Sequence, residues 1–233
     1  MKKFFAALFL TAIFFNTFTI QAQEVFNDSE TDTFITQRSI SKPMNGYEYT
    51  GSPYEDKAFQ NGNVYRNGEL VASNVALRYN ALRDEIEIKK SINTSNYDAK
   101  VLLQDPEVYV KIMNRSFVYI APKSEKDVGG YFEVLLEGST MSLYRKMTKE
   151  YVEGKKSINS MAADILPMYR EHIDLYFMNE NNELVELPNS RNGKINSFAQ
   201  HKKAVKEYIR EEKINVNKIG DLKKLLMFYN SIP

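Results

Sequence analysis

The segment from Ser73 to Lys90 alternates apolar and polar residues twice, with a short polar turn between, and it constrains the fold more than any other stretch. Side chains in a strand point to opposite faces in turn. Val75, Leu77 and Tyr79 therefore share one face of a first strand, and Ile86 and Ile88 share one face of a second. Antiparallel partners keep a constant sum of residue numbers, and these five residues lie on one side only if that sum is odd. Pairing Leu77 with Ile86 or with Ile88 meets the condition. Either register sets Arg78 opposite Glu85 or Glu87, a cross-strand ion pair expected on the solvated face and worth roughly 0.2–1 kcal/mol. A slip by one residue would bury those charges, so the register is firmly specified.

The residues around this hairpin extend the same pattern. Asn67-Gly68 sits between two β-prone runs, Asn63 to Arg66 and Glu69 to Val71, and is a strong hairpin signal. Val101 to Leu103, Val108 to Met113 and Phe117 to Ile120 read as further strands, with a bend at Asn114-Arg115 and a polar loop from Ala121 to Gly130. Tyr131 to Glu137 and Met141 to Met147 form another hairpin, turning at Gly138-Ser139. Glu150 to Leu166 is ambiguous: Lys155-Lys156-Ser157 resembles a loop, and Ile158 to Leu166 a helical turn before Pro167. Met168 to Met178 and Glu183 to Leu187 complete the β-rich region. Tyr47, Tyr49 and Tyr54 are expected to pack at the end of the sheet rather than to form a carbohydrate platform.

After Pro188 the period changes. Phe198, Val205, Tyr208 and Ile209 define one helical face, and Ile219, Leu222, Leu225, Leu226 and Tyr229 a second. Asn217 is placed to cap the second helix, with Asp221 in its favourable first turn. The expected class is thus α+β: a predominantly antiparallel sheet, as a meander, sandwich or partial barrel, with a C-terminal helical hairpin packed on it.

Lys2-Lys3, the apolar run Phe4 to Phe15 and the stretch ending Gln21-Ala22-Gln23 have the three-part form of a secretory signal peptide, with cleavage expected after Ala22. The run is too short for a stable membrane span, which needs about 20 apolar residues. The expected organisation is a leader over 1–22, an exposed lead-in over 23–45 that admits an edge strand from Thr33 to Ile40, a β-rich domain over 46–188, and the helical hairpin over 189–233 as part of the same domain. The product is expected in the periplasm or outside the cell. The chain has no cysteine, so no disulfide supports it in an oxidising compartment. Lys2 and Lys3 belong to the 31 basic residues, and without them the 30 acidic residues lead by one. That balance points to neither nucleic acid nor an anionic membrane.

Four groups of landmarks span most of the chain beyond the leader: Gly51-Ser52-Pro53-Tyr54 with Phe59 and Gly62; Leu77-Arg78-Tyr79-Asn80 with Asp84 and Ile86-Glu87; Gly130-Tyr131-Phe132-Glu133-Val134-Leu135; and Asp221-Leu222 with Phe228-Tyr229-Asn230. Their order resembles a group of uncharacterised secreted proteins from Bacteroidota-type bacteria. The resemblance implies a signal-bearing, β-rich envelope protein and supplies no catalytic residue.

The inventory for chemistry is short. His172 and His201 are the only histidines, with no metal-ligand spacing, and no metal site or cofactor is expected. Gly-x-Ser-x-Gly and a phosphate-binding Gly-rich loop are both missing. Asp84, Glu85 and Glu87 are the remaining catalytic candidates, as paired carboxylates of the kind used in glycoside hydrolysis. Arg78 and Lys89 beside them would keep all three ionised, which favours a solvated strand face. Lys202, Lys203, Lys206, Arg210, Lys223 and Lys224 make a basic helical face, interleaved with Glu207, Glu211 and Glu212 and read as a soluble surface. No catalytic, cofactor or metal residue is assigned. The expected function is non-enzymatic binding of an envelope macromolecule or an apolar ligand, through the sheet or the groove between sheet and helices. The alternative is a carboxylate-dependent hydrolase of envelope polysaccharide or peptide, which needs Glu85 or Glu87 in a concave pocket with a second carboxylate about 5–9.5 Å away.

Overall fold

The computed structural model describes residues 34–40, 48–157, 163–198 and 200–232. The leader and most of the lead-in lie outside them. Eleven antiparallel strands form one open sheet: β1 (Ile35–Ser39), β2 (Gln60–Arg66), β3 (Glu69–Asn80), β4 (Glu85–Lys89), β5 (Lys100–Leu102), β6 (Val108–Ile112), β7 (Arg115–Ile120), β8 (Gly130–Leu136), β9 (Met141–Val152), β10 (Met168–Asn179) and β11 (Leu184–Glu186). Their spatial order is β1-β5-β4-β3-β2-β6-β7-β8-β9-β10-β11. Two meanders thus meet where β2 pairs with β6, and β1 lies at the edge as the lead-in pattern allowed.

The β3–β4 pairs are Leu77 with Ile88, Arg78 with Glu87 and Tyr79 with Ile86, which is the second of the two odd-sum registers. Val75, Leu77, Tyr79, Ile86 and Ile88 all join the principal core. The β2–β3 turn has positive φ at both Asn67 and Gly68 (51° and 82°), the backbone that a two-residue hairpin turn requires. The β6–β7 turn falls one residue earlier than the sequence suggests. Ile112 pairs with Arg115, leaving Met113 and Asn114 as the turn, so that Arg115 joins the strand. β9 runs on to Val152, and Glu150, Tyr151 and Val152 pair with Arg170, Tyr169 and Met168 of β10, so the start of the ambiguous segment is strand. Residues 158–162 lie outside the described residues, and Lys155 makes an isolated antiparallel bridge to Ile165 where a helical turn was expected.

The sheet curls on itself without closing its ladder. Lys149 N–H donates to Ala81 O (3.0 Å), which brings the β3–β4 turn against β9. Residues 48–59 run as a strap across this gap, with bridges from Thr50 to Met168 and from Tyr54 to Asn80. Apolar residues of β2 to β9 fill the enclosed face, from Val64 and Leu77 to Phe117, Tyr131 and Met147.

The C-terminal layer has three helices: α1 (Arg191–Asn196), α2 (Lys202–Glu211) and α3 (Ile219–Ser231). Phe198, expected on the same helix as Val205, lies between α1 and α2. Ser197 ends α1 by bonding back to Gly193 O through both its N–H and its hydroxyl. Phe198 is fully buried, with its ring 5.2 Å from both Phe177 and Tyr229. Asn217 does not cap α3. Lys218 holds the cap position, and Asn217 Oδ1 instead accepts Lys194 Nζ (3.0 Å), tying α1 to the α2–α3 loop. Leu143, Phe177 and Leu187 of the sheet region share a second core with Val205, Leu222, Leu225 and Leu226, so sheet and helices pack as one unit.

Candidate functional site

The three hairpin carboxylates do not form a cluster. Glu87 accepts from Arg78 Nη2 and Nε and from Asn80 Nδ2, and both members of the ion pair are buried, Arg78 at 7% exposure and Glu87 at 2%. The expectation of a solvated face is corrected here. The 48–59 strap covers it, with the Arg78 guanidinium 3.6 Å from the centre of the Tyr54 ring and 4.1 Å from that of Phe59, and with Nη1 donating to Lys57 O. Burial and then the Glu87 charge push the Tyr54 phenol above its ordinary range. Glu85 pairs with Arg38 of β1. Asp84 turns the other way and accepts from Tyr79 Oη (2.7 Å), Tyr131 N (3.1 Å) and Lys146 Nζ (2.8 Å). Gly130 makes room for it: a Cβ there would sit 1.7 Å from the Asp84 carboxylate.

Lys89 is also buried and has no carboxylate partner among the described residues. Its ammonium donates to Ile92 O, Thr94 O and Asn96 Oδ1, which organises the 90–98 loop around one charge.

A second charged group is illegible in the sequence because its members are so far apart. Arg115 and Arg145 each contact both Glu55 and Glu133, closing a ring of two cations and two anions. Phe117, Glu133 and Arg145 lie side by side across β7, β8 and β9, so this ring shares a face with the apolar core. Burial opposes the Arg115 charge, but the hydrogen bonds it donates to Glu133 and Glu55 outweigh that and raise the guanidinium pKa. The one sequence signal was Glu133 inside the otherwise apolar run from Tyr131 to Leu136. These charges fasten the strap to the sheet, and only about 10 Å³ of cavity remains beside them between Glu55, Arg78, Arg115 and Phe117. That is no more than the roughly 10–15 Å³ a cavity needs to hold a single water molecule.

The histidines stay apart. His172 is half exposed on β10, 3.6 Å from Glu150, whereas His201 packs edge-on against Tyr229. Among the described residues no group of three or more histidines and carboxylates is placed to hold a metal ion. No described helix is long and apolar enough to cross a membrane.

Two surface concavities among the described residues are of ligand size, a range of about 300–1,000 Å³. One, of about 450 Å³, lies between the 121–129 loop and β10–β11. Tyr176, Ile120, Val128 and Leu184 give it apolar surface, and Lys123, Lys126, Asp127, Glu183 and Glu186 line it with both signs of charge. One wall consists of the consecutive residues Asn182 to Glu186. Successive strand side chains point to opposite faces, so a wall of consecutive residues is the edge of the strand, backbone included. Leu187 N bonds to Leu175 O and Asn179 N to Glu183 O, so odd-numbered residues of β11 face β10. The N–H and C=O of Leu184 and Glu186 point outward. The other concavity, of about 620 Å³, lies between α1 and α2.

The chain matches no known family model, no curated protein and no solved structure.

Proposed function

We propose that this chain is an exported, non-enzymatic binding protein whose macromolecular partner adds an extended segment along β11, in the groove beneath the 121–129 loop. The observation that carries this reading is the edge-on wall of Asn182 to Glu186 beside an apolar floor. An exposed strand edge offers a row of main-chain donors and acceptors, and flanking pockets select alternate side chains. Val185, 54% exposed, adds apolar surface at that edge. The leader pattern at residues 1–22 supports export. The filled interior of the curled sheet favours a surface-bound polypeptide over a lipid enclosed within it.

The test is photo-crosslinking in cell envelopes from a photoreactive residue at Val185 or Val128, with one at Met113 in the β6–β7 turn as control. The expected result is a discrete adduct from the first two positions only. Glu186→Pro removes an outward N–H without touching the β10 ladder, and is expected to weaken capture by about 1 kcal/mol, roughly five-fold. An equal adduct from Met113, or capture indifferent to Glu186→Pro, would refute strand addition.

A further inference from the structure

We infer that the groove between α1 and α2 is a second, separate binding site, one that takes an anionic saccharide. Each helix contributes residues four apart to a facing wall: Asn192 and Asn196 from α1, Lys206 and Arg210 from α2, with Arg191 at one end. Ile195 and Ile209, both buried, form the floor. Residues at this spacing stand above one another on a helix, so the two amides line the α1 side and Lys206 and Arg210 the α2 side, with Arg191 adding a third cation at the end of α1.

The charge of the groove is one-sided. Its lining holds three cations and no carboxylate. Arg191 and Lys206 have no carboxylate partner among the described residues, and Arg210 reaches only Glu207, at 3.6 Å with both side chains exposed. On the sheet, by contrast, Arg78, Arg115, Arg145 and Lys146 are each paired with acids. The sequence pattern of mixed signs on α2 concealed it, because Arg191 comes from another helix.

The lining also selects among anions. At about 620 Å³ the groove is far larger than a single inorganic anion needs. Two amides supply paired donors and acceptors, which suit the hydroxyls of a sugar. No aromatic residue lines the groove. A neutral sugar would therefore lack a stacking platform and single-stranded nucleic acid would lack a surface for its bases, leaving charge as the main source of affinity. The acid group, carboxylate or phosphate, is the shared chemistry the three cations would recognise.

Calorimetric titration with trigalacturonate, glucose 6-phosphate, maltotriose, inorganic phosphate and a short single-stranded DNA tests the site. Either acidic sugar is expected to bind, with the tighter one identifying the acid group, and maltotriose is not. Arg191→Gln and Lys206→Gln, both at exposed positions, should each weaken the acidic sugar roughly two- to five-fold, and the triple variant with Arg210→Gln should abolish binding while leaving the circular dichroism spectrum unchanged. The inference is overturned if neither acidic sugar binds, if the variants bind as well as the parent, if inorganic phosphate alone matches the sugars, or if DNA binds more tightly than either. Crosslinking at Val185 is expected to be unaffected by these variants, so the two sites succeed or fail separately.

Discussion

For Arg78 and Glu87, burial changes the worth of an ion pair by several-fold. On a wet strand face such a pair contributes roughly 0.2–1 kcal/mol, but here both charges are removed from water and the guanidinium is sandwiched by Tyr54 and Phe59. Removing one member then leaves an uncompensated buried charge. Glu87→Gln and Arg78→Met are each expected to lower the unfolding free energy by about 3–5 kcal/mol, whereas the double variant Arg78→Met/Glu87→Met should lie closer to the parent than either. Urea denaturation of the four proteins checks this, and single variants within 1 kcal/mol of the parent would return the pair to the solvated class. The pairing itself was legible, because period-two alternation and a short turn are local and fix the parity. Its burial was not. The covering rings come from residues 54 and 59, and no pattern within 73–90 records that another segment lies over the second face.

Among the elements, α3 adds to its apolar packing on the sheet a polar tie made by one side chain. Asn230 Oδ1 accepts from Thr140 N and Met141 N, and its Nδ2 donates to Met141 O, so a single amide satisfies three backbone groups of the β8–β9 turn. Gly138 permits that approach, since a Cβ there would lie 2.1 Å from Asn230 Nδ2. Asn230→Ala is expected to destabilise by about 1–3 kcal/mol through backbone groups left unpaired. Gly138→Ala should have a similar effect by pushing the amide away. Hydrogen exchange at Thr140 and Met141 is the direct readout: protection should fall there in both variants before it falls at Leu143 in the second core, and unchanged protection would remove the clamp from the account. The turn at Gly138-Ser139 and the apolar face of α3 were both legible, as was the existence of nearly every strand, because each rests on residues close in sequence. The break between α1 and α2 was not. Phe198 keeps the periodic spacing to Val205 and reaches the same core, so the hydrophobic pattern reads identically whether or not a turn intervenes.

At the scale of the molecule, the curled sheet is held by buried tyrosines that become a liability in alkali. Burial first, and the Asp84 carboxylate second, raise the phenols of Tyr79 and Tyr131, while burial with Glu186 and Asp174 pushes Tyr176 up to about 12. Below pH 10 these phenols are protonated whether the chain is folded or not, and they make no difference. Above pH 10, near the ordinary tyrosine value, the unfolded chain loses protons that the folded one keeps, so stability falls as pH rises towards 12. Each tyrosine so divided contributes a slope of about 1.4 kcal/mol per pH unit. Lys89 acts in the opposite direction. Burial lowers its pKa, so the folded protein releases that proton first and gains stability with rising pH. That gain ends near the ordinary lysine value of about 10.4, above which both states have lost the proton, so the tyrosines alone set a negative slope at higher pH. Absorbance at 295 nm and circular dichroism, followed together from pH 9 to 12.5, should reveal a buried class of tyrosines, Tyr79, Tyr131 and Tyr176 among them, that ionises only as ellipticity is lost. Tyr79→Phe removes one phenol that the fold must keep protonated, and should shift the alkaline midpoint upward relative to its own stability at pH 7. A single titration near pH 10 with the dichroism intact would mean that the enclosed face admits hydroxide and water, and the picture of a filled interior would fail with it.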